Sequence, residues 1–474
     1  MPSETSGLTL RDFVAVSGVP GCDVLCGRRG GGFRRTVWAI VLTTLLSLTL
    51  HECIQVFLEY GRFPVSFDYS YEEENSLHFP GVTVCNVNPV KKAALCHSRL
   101  PSSQAMPEQL RKRLCENETT FYDPNPEDRA SQEQLTTWMA QLSSSRYHRL
   151  DALTTKFEDM IVSCSYGRKN CTNRRFFTPV FMNRYGNCLC FNCNASREED
   201  DFYAYDSTSS PDNGLVLVLD VQPDQYLPTS TEMGFFVMVH GHEYSPDPCS
   251  DGDFVEPGYA TYIGIHLTKR LSLPEPYEHP CQSDWPPHLE KLIVNDSTYT
   301  KEDCLSICLQ SMLRERCKCE STDTTNIYQS PDGYAYPICE SDYENGACVA
   351  STRAIMDLST TETSCKCHPT CTDREYYKEI SKDTLANFMD KHEDLRKRLL
   401  AKVTVYYHTL TSENAFAVPL YDGNSVLNNF GRINGIYLGV SFLVLLRLLD
   451  TVVRGIHFHR DGTFTCYDDP NDNA

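Results

Sequence analysis

Residues Thr36–Val56 read TVWAIVLTTLLSLTLHECIQV. An apolar run this near a chain start can be a cleaved export signal, a buried core helix, or a helix that stays in a bilayer. A cleaved signal puts its apolar core close to the first residue and follows it with small residues. Here residues 1–35 come first, and the core is followed by His51-Glu52-Cys53. Arg28, Arg29, Arg34 and Arg35 precede it, and basic flanks stay on the cytoplasmic side. The run therefore reads as a retained anchor with a cytoplasmic N-terminus.

A second run, Ile433–Ile456, lies near the other end and contains GIYLGVSFLVLLRLLD at Gly435–Asp450. Arg454, His457, His459 and Arg460 follow or close it. If the first helix crosses outward and the second returns, both termini are cytoplasmic. The expected plan is a cytoplasmic segment 1–35, membrane helix 36–57, extracellular domain 58–431, membrane helix 432–456 and cytoplasmic tail 457–474. The competing reading, two buried helices of a soluble protein, rests on uncharged stretches shorter than the usual span of about 20 residues. It leaves the cysteine distribution unexplained.

That distribution is the compositional outlier. The chain holds 23 cysteines in 474 residues, and 19 of them lie from Cys85 to Cys371. Such density marks an oxidising compartment. The sequons at Asn117, Asn170, Asn194 and Asn295 fall in the same stretch and are candidate glycosylation sites. A formal net charge of -20 excludes a nucleic-acid partner, which needs basic surface. Acidic runs such as Tyr71–Asn75 and Arg197–Asp201 read as solvated loops that can also attract cations.

Between the two runs, short alternating segments predict strands at Gly214–Val221, Gly234–His240, Ala260–Leu267 and Val403–Thr409. Helical periodicity predicts helices at Pro107–Cys115, Gln132–Leu150 and Glu302–Arg316. In the last of these Cys304 and Cys308 share one face. Cys365 and Cys367, which an extended strand would present on one side, are their best partners. The fold class expected is an α+β membrane protein, with a disulfide-rich β-sheet domain carrying helical elements between two membrane helices. No nucleophile elbow, zincin motif or phosphate loop occurs, so the chain does not read as an enzyme. Cys365-Lys-Cys-His-Pro-Thr-Cys371 could suggest a metal knot, but outside the cell disulfides are the simpler reading.

Neither membrane run is cleanly apolar. Glu52 sits in the first, Arg447 and Asp450 in the second. A charge at the bilayer centre costs about 2.5–3.5 kcal/mol on insertion scales, so such groups face a bundle interior or water. Two helices cannot enclose a pore, and conduction through these charges requires an oligomer.

Several motifs then fall in order. Phe79-Pro80-Gly81-Val82-Thr83-Val84-Cys85-Asn86 resembles the FPAVTICN box of the degenerin/epithelial sodium channel family, which includes the acid-sensing channels. Arg184-Tyr185-Gly186-Asn187-Cys188 with Phe191-Asn192 is similar to that family's G-x-C-y-x-F-N segment. The cysteines from Cys304 to Cys371 resemble its cysteine-rich thumb, and Gly435-Ile-Tyr-Leu-Gly439-Val-Ser441 its G-L-F-x-G-x-S segment. The resemblance spans roughly residues 13 to 456.

The resemblance implies the pairs Cys85–Cys188, Cys164–Cys171, Cys281–Cys371, Cys304–Cys367, Cys308–Cys365, Cys317–Cys348 and Cys319–Cys339. Cys96, Cys115, Cys190, Cys193 and Cys249 are left over, and with five at least one is free or bonds outside the chain. It implies a trimer with like or related subunits, set in the lipid bilayer of the plasma membrane, passing Na+ with no cofactor or bound metal and blocked by an amiloride-like compound. Gly439, Val440 and Ser441 become the selectivity belt, since small residues let helices approach and carbonyls or a hydroxyl replace water around an ion. The bland alternative is that Gly-x-Ser merely packs helices. Tyr60 and Tyr277 become the aromatic contact between outer domain and membrane helices.

Departures from the family pattern bear on gating. Its His-Gly pair before the first helix is Pro20-Gly21 here, and the histidines that follow the Tyr60 position in acid-sensing members are Gly61 and Arg62. The acidic residue usual six positions after the serine is Arg447, while the later aspartate is kept as Asp450. Arg447 and Asp450 are one helical step apart and can pair, as can Arg447 with Glu52. The leading reading is a pore-forming subunit of a sodium-selective channel. The alternatives are a modulatory, poorly conducting subunit and a receptor module on two anchors.

Overall fold

The computed structural model describes residues 25, 31–97, 106–116, 130–131, 133–135, 137–139, 153–182, 185–193, 206–227, 230, 232–242, 251–293, 298–321, 328, 336–337, 339, 343–358, 365–385, 399–441, 443–444, 446 and 449. The chain divides into two compact units: one of Met1–Ser66, Pro276–Glu278 and Val418–Ala474, the other of Phe67–Glu275 and His279–Ala417.

In chain order the elements are α1 (Gly32–Tyr60), β1 (Val65–Glu73), β2 (Leu77–His78), β3 (Gly81–Asn86), α2 (Lys92–His97), α3 (Glu108–Glu116), α4 (Phe157–Met160), β4 (Ile161–Tyr166) and β5 (Lys169–Asn170). Then come β6 (Phe177–Met182), β7 (Gly186–Phe191), β8 (Asp206–Ser207), β9 (Leu215–Asp220), β10 (Phe235–His240), β11 (Asp253–Val255) and β12 (Tyr259–Leu271). The chain continues through α5 (Lys301–Cys317), α6 (Tyr343–Leu358), β13 (Thr372–Thr384), β14 (Leu400–Tyr407), β15 (Thr411–Pro419) and α7 (Gly423–Leu438).

The larger unit is built on two main sheets. The first runs β1-β15-β12-β14-β9-β4-β5, with β13 along the other edge of β12, and the second runs β11-β10-β3-β7-β6. β12 is long enough to take β14 in parallel beside its first half and β15 in parallel beside its second. Their core includes Phe79, Leu217, Val237, Ile263, Val403 and Tyr407, all buried. β3 is buried at every position, which is why GVTVCN lacks the alternation of a half-exposed strand.

The two motif segments of this region touch. Asn192 Nδ2 donates to the Phe79 carbonyl at 2.7 Å, and Cys85 is bonded to Cys188. Asn86 Oδ1 accepts from the Tyr226 hydroxyl at 2.7 Å, and that hydroxyl accepts from the Gly234 N–H at 3.1 Å. The box thus reads as one strand whose two ends are held by buried amide hydrogen bonds.

Helices α5 and α6 form the cysteine-rich lobe. Thr300 caps α5 by accepting from Asp303 N–H at 3.1 Å. Cys304–Cys367 and Cys308–Cys365 tie its face to the segment before β13, and Cys317–Cys348 ties it to α6. Cys319–Cys339 and Cys281–Cys371 complete the set. The extended strand expected at Cys365–Cys367 is not there: Lys366 takes a left-handed φ of 53°, and this turn directs both buried cysteines at α5. Cys164–Cys171 closes the β4–β5 hairpin. Of the cysteines left over by the sequence reading, Cys96 bonds Cys115, joining α2 to α3, and Cys190 bonds Cys193. Cys249 lies outside the described residues.

Asn170 is exposed on β5. Its Oδ1 accepts from Thr172 N–H at 2.8 Å, and the middle residue of its sequon is the bonded Cys171. Asn117, Asn194 and Asn295 lie outside the described residues.

Candidate ion-conducting segment

The smaller unit holds α1 and α7. Helix α1 extends beyond the expected run at both ends and is long and apolar enough to cross a membrane. Ile40, Leu46, Leu50 and Phe57 on it are exposed, as lipid-facing residues are. Among the described residues it is the one helix long and apolar enough for such a crossing. Phe57 packs on Phe430 of α7 with ring centroids 4.8 Å apart. Helix α7 starts earlier than the expected membrane boundary, at Gly423, because Asp422 caps it by accepting from Ser425 N–H at 2.7 Å.

The second apolar run is not one continuous helix. α7 stops at Leu438, and Gly439 follows with a left-handed φ of 64°. Gly439 N–H donates to the Gly435 carbonyl at 3.1 Å, and Val440 N–H reaches back to the Asn434 carbonyl at 3.3 Å. The Gly439-to-Gly435 bond is that of an αL-type helix cap, whose left-handed residue is usually glycine. Val440 and Ser441 are non-helical, and a new turn begins where Val444 N–H donates to the Ser441 carbonyl at 2.9 Å. Leu443, Val444, Leu446 and Leu449 are helical again. Gly439, Val440 and Ser441 therefore form the interruption itself. Helix ends leave their last carbonyls without helical donors. Within hydrocarbon such backbone is tolerated only when buried in protein or lining water. Arg447, Asp450, Pro20 and Gly21 lie outside the described residues, and Glu52 on α1 is half-buried.

Tyr60 and Tyr277 belong to the same unit, joined by a residue the sequence reading missed. Phe63 lies 5.9 Å from the Tyr60 ring and 5.8 Å from the Tyr277 ring, centroid to centroid. Its own carbonyl accepts from Glu278 N–H at 3.2 Å. Phe63 has a left-handed φ of 51°, a conformation that no sequence pattern announces for a bulky side chain.

An apolar anchor helix and an interrupted second helix bracket in sequence a disulfide-stapled domain, the plan of a membrane-anchored protein. The chain belongs to the amiloride-sensitive sodium channel (ASC) family, whose profile matches residues 13–450. It is a cation-channel subunit and not an enzyme. It is 26% identical to acid-sensing ion channel 4-B of Danio rerio over 89% of this chain and 71% of that one. It is 25% identical to acid-sensing ion channel 4 of Mus musculus over 94% and 79%. Acid-sensing ion channel 2 of Homo sapiens matches at 24% over 88% and 81%. A solved proton-activated chloride channel matches at a TM-score of 0.31 and 6% identity over 88% of this chain and 98% of that one, too low a similarity to build on.

Proposed function

We propose that this chain is a pore-forming subunit of a trimeric, sodium-selective, amiloride-blocked channel of the plasma membrane, with both termini cytoplasmic and Gly439–Ser441 as its narrowest belt. The observation that carries the reading is the helix stop at Gly439, which leaves irregular backbone in the middle of an apolar run. Three copies of that backbone around an axis would present carbonyls and the Ser441 hydroxyl to a dehydrating ion. Tyr60, Phe63 and Tyr277 then transmit motion between the aromatic contact and the helices.

The test is whole-cell current from oocytes expressing the chain alone, with sodium exchanged for potassium and amiloride added. An amiloride-sensitive sodium current whose reversal potential shifts in Ser441→Ala or Gly439→Ala supports the reading. A current whose selectivity ignores both substitutions overturns it. A second reading, a modulatory subunit, is favoured by Arg447 where the family usually has an acid. Surface trimers that carry current only beside a related subunit would select it.

A further inference from the structure

We propose that His266, His408 and Glu379 form a divalent transition-metal site, suited to Zn2+, on the large sheet of the extracellular domain. Three elements side by side supply the ligands. His266 is on β12, Glu379 on β13, and His408 immediately follows β14. β12 lies between the other two strands. In the β12–β13 register Gly264 stands opposite Glu379, and His266 opposite Tyr377. Glu379 and His266 are thus diagonal neighbours on one face, within reach of a long side chain. His408 N–H donates to the Ile265 carbonyl at 3.1 Å, which fixes its backbone beside β12.

The three ligand atoms all lie within 4.8 Å of one another. His266 Nε2 is 3.5 Å from Glu379 Oε1. That is long for an N–H···O bond, which peaks near 2.9–3.0 Å. It is close to the spacing of two ligands on a tetrahedral ion: with bonds of about 2.1 Å, neighbouring donors stand about 3.4 Å apart. His266 Nε2 is also shielded from solvent and, among the described residues, makes no hydrogen bond. The other ring nitrogen, Nδ1, lies 3.4 Å from Thr409 Oγ1. A proton shared there leaves Nε2 with its lone pair free and holds the ring in place, as the outer partner of a metal-binding histidine does.

Gly264 lies beside the His408 arm of the cluster and directly opposite Glu379. A Cβ there would lie 3.5 Å from both His408 Cβ and the Tyr406 hydroxyl, so a methyl fits and a branched side chain crowds the His408 ring. Two imidazoles and a carboxylate suit Zn2+ with a fourth position left to water. The simpler explanation of the same residues is a surface His–Glu ion pair, which binds no metal.

The test uses the full chain in detergent, stripped with a chelator and titrated calorimetrically with ZnCl2. The expected result is a tight equivalent per chain that weakens at least tenfold in His408→Ala, in Glu379→Gln and in Gly264→Val. The first two residues are exposed, so these variants keep the fold. Zn2+ should raise the unfolding temperature of the wild type and not of these variants. Isotherms identical in wild type, His408→Ala and Glu379→Gln would overturn the proposal, as would a wild type with no tight equivalent.

Discussion

His240 is one residue through which the stability of this domain answers to acid. It sits buried at the end of β10, with Nε2 2.8 Å from Thr83 Oγ1 and Nδ1 2.8 Å from the Gly241 carbonyl. Burial is the main cause that lowers it from 6.5 to about 4, with His242 opposing its charge and Asp251 and the Gly241 carbonyl favouring it. The unfolded chain takes up this proton near pH 6.5 and the folded chain only near 4. Stability is therefore full above pH 6.5 and falls as pH drops toward 4, by about 3 kcal/mol in total. Asp303 works the other way, since burial raises its carboxyl from 3.8 to about 6 and falling pH relieves it. Comparing the unfolding temperature of wild type and His240→Gln between pH 7 and 4.5 isolates the histidine: the variant should show the smaller loss. Gly186 is a second residue with no substitute. It has a φ of 70°, and a Cβ there would lie 2.4 Å from the Pro89 carbonyl oxygen and 2.9 Å from Thr154 Cγ2. Gly186→Ala should cost about 2–5 kcal/mol, read as a lower unfolding temperature and reduced surface expression.

Among the elements, α7 and its interruption show what the sequence could and could not reveal. The apolar run and the Gly-Val-Ser tripeptide were legible, because hydropathy and a family motif are local properties. The stop at Gly439 was not, since glycine is common inside membrane helices and only the observed φ separates packing from a break. Strand periodicity located β9, β10, β12 and β14, yet the two parallel partners stacked along β12 are non-local pairings with no local signature. Phe63 went unread for the same reason: its role depends on meeting Tyr277, far away in the chain. The bonds Cys96–Cys115 and Cys190–Cys193 escaped because spacing alone leaves connectivity open. Arg447 carries the element-scale prediction. If three copies of Arg447 ring the ion path they repel cations, and the barrier falls only as far as Asp450 or Glu52 pairs with them. Arg447→Glu should raise the cation current of surface-expressed channels severalfold. Equal or lower current at matched surface density would show that Arg447 does not face the ion path.

At the scale of the whole molecule, the chain keeps its cysteine crosslinks and sequons in the segment between the two helices, and this bears on the order in which the molecule matures. The sequon at Asn170 has a cysteine at its centre, and that cysteine closes the β4–β5 hairpin with Cys164. Once closed, the hairpin holds the Asn170 carboxamide against the Thr172 N–H, leaving an enzyme little freedom to reshape the site. If the Asn170 sequon is used, glycan transfer and disulfide closure compete for the same nascent segment, and whichever comes first constrains the other. Glycosidase mobility shifts should reveal fuller occupancy of Asn170 in Cys164→Ser than in wild type, with Asn170→Gln as the reference for loss. Slowing oxidation with a mild reductant during synthesis should raise wild-type occupancy in the same direction. Partial occupancy at Asn170 would then record which of the two reactions reached the nascent segment first.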